Sequence, residues 1–138
     1  MAGRPDRTRP VHRSGAAGYF RKAQEFFESM RQALEDGRWS AAGLNAVHCA
    51  ISCCDAVLVY YTQQRSAGSN HEAAVHLLAS LAKVPEARQK AETLRKILHQ
   101  KHMVEYEDRA VTAHEAAEMA KLAERLHQWA GQLLGPQR

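Results

Sequence analysis

Between Ser40 and Tyr61 the chain carries a single formal charge, Asp55. Within that run Leu44, Val47, Ile51, Cys54, Leu58 and Tyr61 recur at steps of three and four, the period of an α-helix. The remaining faces are mostly Ala, Cys and Val, so this helix is apolar nearly all round and must be surrounded. A membrane span is the competing reading. Asn45, His48, Ser52 and Asp55 argue against it, because an aspartate near mid-bilayer costs about 2.5–3.5 kcal/mol and alanines return little of that. A central helix inside a helical body is the expectation.

The rest of the sequence provides helices to surround it. Tyr19, Ala23, Phe26, Met30 and Ala33 mark a first helical stripe that Gly37 stops. Ser69 with Glu72 reads as a capping box opening a short helix through Leu77, Leu78 and Leu81. Pro85 suits the first turn of another helix, whose stripe of Ala87, Ala91, Leu94 and Leu98 runs to about His102. The period lapses from Glu105 to Val111. Thr112 with Glu115 then forms a second capping box, followed by Met119, Leu122, Leu126, Trp129 and Leu133 as far as Gly135-Pro136. No strand pattern is visible. These stripes can be buried only against one another, so the predicted fold is all-α: an antiparallel up-and-down four-helix bundle with one additional short helix. With 138 residues, 45% hydrophobic and 25% charged, the chain is long and apolar enough for one such core and is not disordered as a whole. The domain is expected over residues 15–138, after a basic, flexible N-terminal arm over residues 1–14.

That arm accounts for most of the charge. Of the net +4, three charges come from Arg4, Arg7, Arg9 and Arg13 set against Asp6, which leaves the body close to neutral. Cys49, Cys53 and Cys54 crowd into one apolar stretch, a pattern of buried free thiols rather than a disulfide framework. With no apolar leader in the first twenty residues, the expected location is cytoplasmic.

Two clusters have the residue types for chemistry. Asn45, His48, Ser52 and Asp55 lie at steps of three, four and three, one polar stripe on an otherwise apolar helix. Buried polar groups left without partners cost about 1–3 kcal/mol each, so the stripe should face polar groups of another helix, a second subunit, water or a ligand. Asp55 in particular is expected to look toward the end of the fourth helix. That end is the second cluster: Arg95, His99, Lys101, His102, Glu105, Tyr106 and Arg109. An arginine can neutralise a phosphate while an imidazole, with an intrinsic pKa of about 6.5, moves a proton, the two tasks that cleave RNA without metal. Arg95 and His102, seven apart, would share a helical face about 10 Å apart along the axis. Charges at a helix C-terminus also simply favour the macrodipole. Arg65 and His71 bracket five residues, but they straddle a loop and a helix start, so no regular element fixes their separation. No metal site or cofactor is expected, and the sequence has no Gly-rich phosphate loop, H-E-x-x-H or G-x-S-x-G.

Three segments in order, Trp39-Ser40-Ala41-Ala42 leading into Asn45-Ala46-Val47-His48-Cys49-Ala50-Ile51, then Asn70-His71-Glu72-Ala73-Ala74, then Lys101-His102-Met103-Val104-Glu105-Tyr106, resemble the HEPN superfamily. These are small helical proteins of prokaryotic toxin–antitoxin pairs and defence systems, and the resemblance spans roughly residues 18–135. It implies a homodimer that binds RNA or a nucleotide, with an antitoxin protein as a further partner and no membrane. In ribonuclease members an Arg, four to six residues and a His converge across the dimer. The Arg steadies phosphoryl charge, and the His serves as acid and base. Here that alignment puts Lys101 and Tyr106 in those places. Lysine lacks the planar fork of arginine, and a phenol is a poor base near neutrality, so a degenerate site is implied. Arg95 with His102 has the spacing but lies a turn and a half early. The alternative function is a non-catalytic protein–protein interaction module. Homodimerisation is also expected because so apolar a second helix has more apolar faces than one bundle comfortably covers.

Overall fold

The computed structural model describes residues 8–66 and 71–135. Five helices form the body: α1 (Gly15–Glu35), α2 (Trp39–Thr62), α3 (Glu72–Ala79), α4 (Ala87–Tyr106) and α5 (Ala113–Leu134). This is the all-α bundle with one short helix, and α2 packs against all four others. Fourteen of its residues are buried, including Val47, Cys49, Cys53, Cys54, Val57 and Leu58. It is long and apolar enough to cross a bilayer, with a mean hydropathy of 1.6, yet 78% of that window is buried inside the protein, as in a core helix. The expectation that α2 has apolar faces left over is corrected: α1, α4 and α5 cover them, and only Tyr61 of its large apolar side chains is exposed. The three thiols are buried and free, and burial pushes those of Cys53 and Cys54 well up.

The ends of the helices follow local chemistry. Gly37 takes φ +72°, and the N–H groups of Gly37 and Arg38 donate to the carbonyls of Leu34 and Ala33, so α1 ends in a Schellman turn. The Thr112–Glu115 capping box closes in both directions at 3.1 and 2.9 Å. Glu115 also takes both arms of Arg109, and those bonds hold its carboxyl down to about 2. Thr112→Ala is expected to cost about 1 kcal/mol, and to lower the melting temperature by a few degrees in a thermal melt; an unchanged melt would contradict it.

Four boundaries differ from expectation. Pro85 does not open α4, because Glu86 enters the left-handed region (φ 64°) and the helix starts at Ala87. The Pro85 carbonyl instead accepts the Trp129 indole N–H at 3.0 Å and ties the α3–α4 connection to α5. At the other end α4 runs past His102 to Tyr106, because Lys101–Glu105 (2.8 Å) and the rings of His102 and Tyr106 (5.2 Å) form i,i+4 pairs across the last turn. At α3, His71 stands at the N-cap without a side-chain bond, while the expected cap Ser69 lies outside the described residues. Finally, Thr8–Pro10 forms a strand, β1, antiparallel to β2 (Gln64–Ser66), with Arg9 opposite Arg65. Gln63, at φ 56°, turns the chain out of α2, and its carbonyl accepts the N–H of Val11 (2.9 Å). The residues 8–10 expected in the flexible arm are therefore paired, with Pro10 at the end of an edge where its missing N–H costs nothing; residues 1–7 lie outside the described residues.

Candidate functional site

The polar stripe of α2 is read differently along its length. Asn45 donates to the Ala41 carbonyl (2.9 Å), which satisfies it within its own helix. His48 is partly buried, with its ring against Phe26 of α1 at 5.3 Å. Ser52 and Asp55 are buried, at 8% and 5% exposure. Asp55 Oδ2 meets Arg65 Nη2 at 3.2 Å. That guanidinium lies over the Tyr19 ring of α1 (5.2 Å), and its Nε is buried with no hydrogen-bond partner among the described residues. Burial raises the Asp55 carboxyl to about 6, while Arg65 and then Lys22 pull the other way.

Asp55 therefore faces β2 and α1 and does not look toward the end of α4. The reason is antiparallel packing: Val104 of α4 abuts Gly43, and Asp55 lies twelve residues on from Gly43, about 18 Å along the axis. The α2 residue beside the end of α4 is His48. It acts electrostatically on Glu105 and, with Lys101, Arg65 and Glu105, on His71. Half-burial first, then the charges of Lys101 and Arg65, hold the His71 imidazole below its ordinary value. Lys101 donates to Glu105 at 2.8 Å and keeps that carboxyl below its usual range.

The remaining predicted residues sit apart. His102 and Tyr106 are exposed on the last turn of α4, Tyr106 at 69%, and contact each other. Arg95 is exposed, bridges Glu92 at 3.3 Å and borders the α3–α4 crevice with His76 and Arg88; it does not meet His102. Among the described residues no group of three His, Cys, Asp or Glu side chains is placed to hold a metal.

The residues that sequence reasoning left unassigned are Arg65, His71, Tyr19 and Lys22. A signal for Arg65 existed. A lone acid inside an apolar helix needs a cation, and the first lysine or arginine after Asp55 is Arg65. Five elements thus contribute a run of polar side chains linked pair by pair beside α2: Tyr19 and Lys22 of α1, His48 and Asp55 of α2, Arg65 of β2, His71 before α3, and Lys101 and Glu105 of α4. Its two acids, Asp55 and Glu105, are each paired to a cation, Arg65 and Lys101, so three cations face two acids and the excess positive charge, on Lys22, favours an anion. A family model described as HEPN domain matches residues 16–133. No curated protein matches the chain.

Proposed function

The chain belongs to the HEPN domain family, and from that premise we propose that it is a homodimeric binder of RNA or of a nucleotide, with phosphate held among these side chains beside α2. The observation that carries this reading is the convergence of Arg65, His71 and Lys101, from three separate elements, on the His48–Asp55 side of α2. Arg65 is braced by Asp55 on one side and Tyr19 beneath, a preset orientation for a planar donor toward a phosphate. His71, whose imidazole burial and the nearby Lys101 and Arg65 hold below its ordinary value, can accept a hydrogen bond or a proton. The resemblance puts Lys101 and Tyr106 where ribonuclease members carry Arg and His. Neither supplies that pair's chemistry, so binding with a degenerate ribonuclease site fits better than turnover.

The test is retention of a labelled single-stranded RNA at low salt, where phosphate contacts are strongest. Wild-type protein should bind, and the affinity should fall steeply with added salt. Substituting Lys101, His102 and Tyr106 together by alanine should weaken binding by about tenfold or more with little change in stability. Absence of binding to any RNA or nucleotide at low salt would overturn the reading. Light scattering at micromolar concentration should give a dimer mass; a monomer would remove that part of it.

One observation favours the second reading, a protein–protein interaction module such as the partner half of a toxin–antitoxin pair. Tyr106 holds an aromatic ring 69% exposed beside His102 and Lys101, the kind of amphipathic anchor that interfaces use. In that case the triple variant loses a co-purifying protein and leaves RNA retention unchanged.

A further inference from the structure

The residues just before α1 are fastened to the body of the protein, and those before them are not. Val11 approaches Gly15 so closely that a Cβ there would lie 2.9 Å from Val11 Cγ1, and the Val11 N–H donates to the Gln63 carbonyl at 2.9 Å. Arg13 lies over the Tyr60 ring at 5.4 Å. Ahead of Val11, β1 packs against no element but β2 among the described residues. A three-residue strand with one neighbour is marginal by itself.

Its register makes the pairing less favourable still. Thr8, Arg9 and Pro10 stand opposite Ser66, Arg65 and Gln64. With the Val11 N–H on the Gln63 carbonyl, the alternation of an antiparallel ladder makes Arg9 and Arg65 the next hydrogen-bonded pair and leaves Pro10 at a position that needs no N–H. Directly opposed residues send their side chains to the same face, with Cβ atoms about 4.5–5.5 Å apart, and like charges in that relation weaken the pairing. Arg65 has Asp55 at 3.2 Å. Arg9 is exposed and forms no ion pair among the described residues, so two guanidinium groups share one carboxylate. An oxyanion between them would be held by two planar forks, and would turn the least favourable contact of the strand into its most favourable one.

We propose that Arg9 is a further ligand of the anion held beside α2, and that β1 is a strap which the anion ties down, so that anion binding and β1–β2 pairing stabilise each other. The inference rests on the phosphate reading above and adds to it a residue and a coupling. By linkage, the factor by which pairing strengthens binding is the factor by which binding strengthens pairing.

The first arm of the test needs no ligand. Amide hydrogen exchange is followed by NMR on the full chain. Arg9→Glu replaces the like-charge pair by an opposite one and should slow exchange of the Arg65 amide at least about threefold, whereas Val11→Pro, which removes the N–H donated to Gln63, should speed it. In the second arm a labelled single-stranded RNA is titrated at low salt. Binding should slow the Arg65 amide further in wild-type protein. Arg9→Gln should weaken binding at least about fivefold, and Val11→Pro should weaken it although no charge is lost. Arg13→Gln removes the same charge from a residue that rests on Tyr60 and should stay within about twofold of wild type. Arg9 and Arg13 are exposed and Val11 lies outside the core, so all these variants should fold. Absence of RNA binding by wild-type protein would overturn the phosphate reading and this inference together. Wild-type affinity in both Arg9→Gln and Val11→Pro would overturn the inference alone, as would equal losses in Arg9→Gln and Arg13→Gln, or an Arg65 amide that Arg9→Glu does not slow.

Discussion

Truncating Leu58 to alanine is expected to lower the unfolding free energy by about 2–5 kcal/mol, the range for a large aliphatic side chain removed from a core that cannot collapse around the gap. Leu58 is 1% exposed toward the C-terminal end of α2 and belongs to the main hydrophobic core. Urea denaturation followed by circular dichroism should show the midpoint fall while the slope stays constant, because the surface exposed on unfolding hardly changes. A loss below about 1 kcal/mol would mean that α2 is not the closely packed centre of the fold.

The second large effect is a pH dependence set by Asp55. Its carboxyl is raised to about 6 from an ordinary 3.8, so the folded state favours the protonated acid. For an acid shifted upward, this contribution to stability is fully present below the ordinary value. It is lost as pH climbs through the window from about 4 to about 6, and above that window the penalty stays constant. A shift of about two units corresponds to roughly 3 kcal/mol. Asp55→Asn removes the titration. Its stability relative to wild type should therefore improve by about 2–3 kcal/mol between pH 4 and pH 7, measured as unfolding free energies at unit steps of pH. A difference that does not vary with pH would contradict this. Arg65→Ala should move the wild-type window to higher pH, since it removes the cation that opposes the burial.

The helical architecture was legible because its signals were periodic and local. The near-chargeless stripe of α2, the Gly37 stop and the Thr112–Glu115 box each depend on residues within a few positions of one another, and each stands where expected. The features that were not legible depend on distant partners. Thr8–Pro10 has no strand alternation of its own and pairs because the turn at Gln63 presents an edge. Past His102 the last turn of α4 is held by the packed Met103 and Val104 together with the Lys101–Glu105 and His102–Tyr106 pairs.

The site divides along the same line. His48, Asp55, Lys101 and Glu105 were identifiable from their spacing, but which of them meet was not, because that depends on the axial offset between antiparallel α2 and α4. The offset places His48, not Asp55, beside Lys101 and Glu105. It leaves Asp55 to Arg65, a residue on a short strand whose position no helical period reports. The spacing of Arg95 and His102 fitted a family pattern, yet the structure gives Arg95 to Glu92 and leaves His102 against Tyr106.

The central claim is that the side of α2 bearing His48, together with Arg65, His71 and Lys101, receives phosphate. The most direct test follows the imidazole resonances of nitrogen-labelled histidines by NMR while a short unstructured RNA is added at low salt. His48 and His71 should move together and saturate at one RNA concentration. His127, stacked between Phe20 and Phe27 and bonded to Gln24, should stay fixed as an internal reference. Stationary His48 and His71 signals while RNA binds elsewhere, or no change in any histidine up to millimolar RNA, would contradict the account.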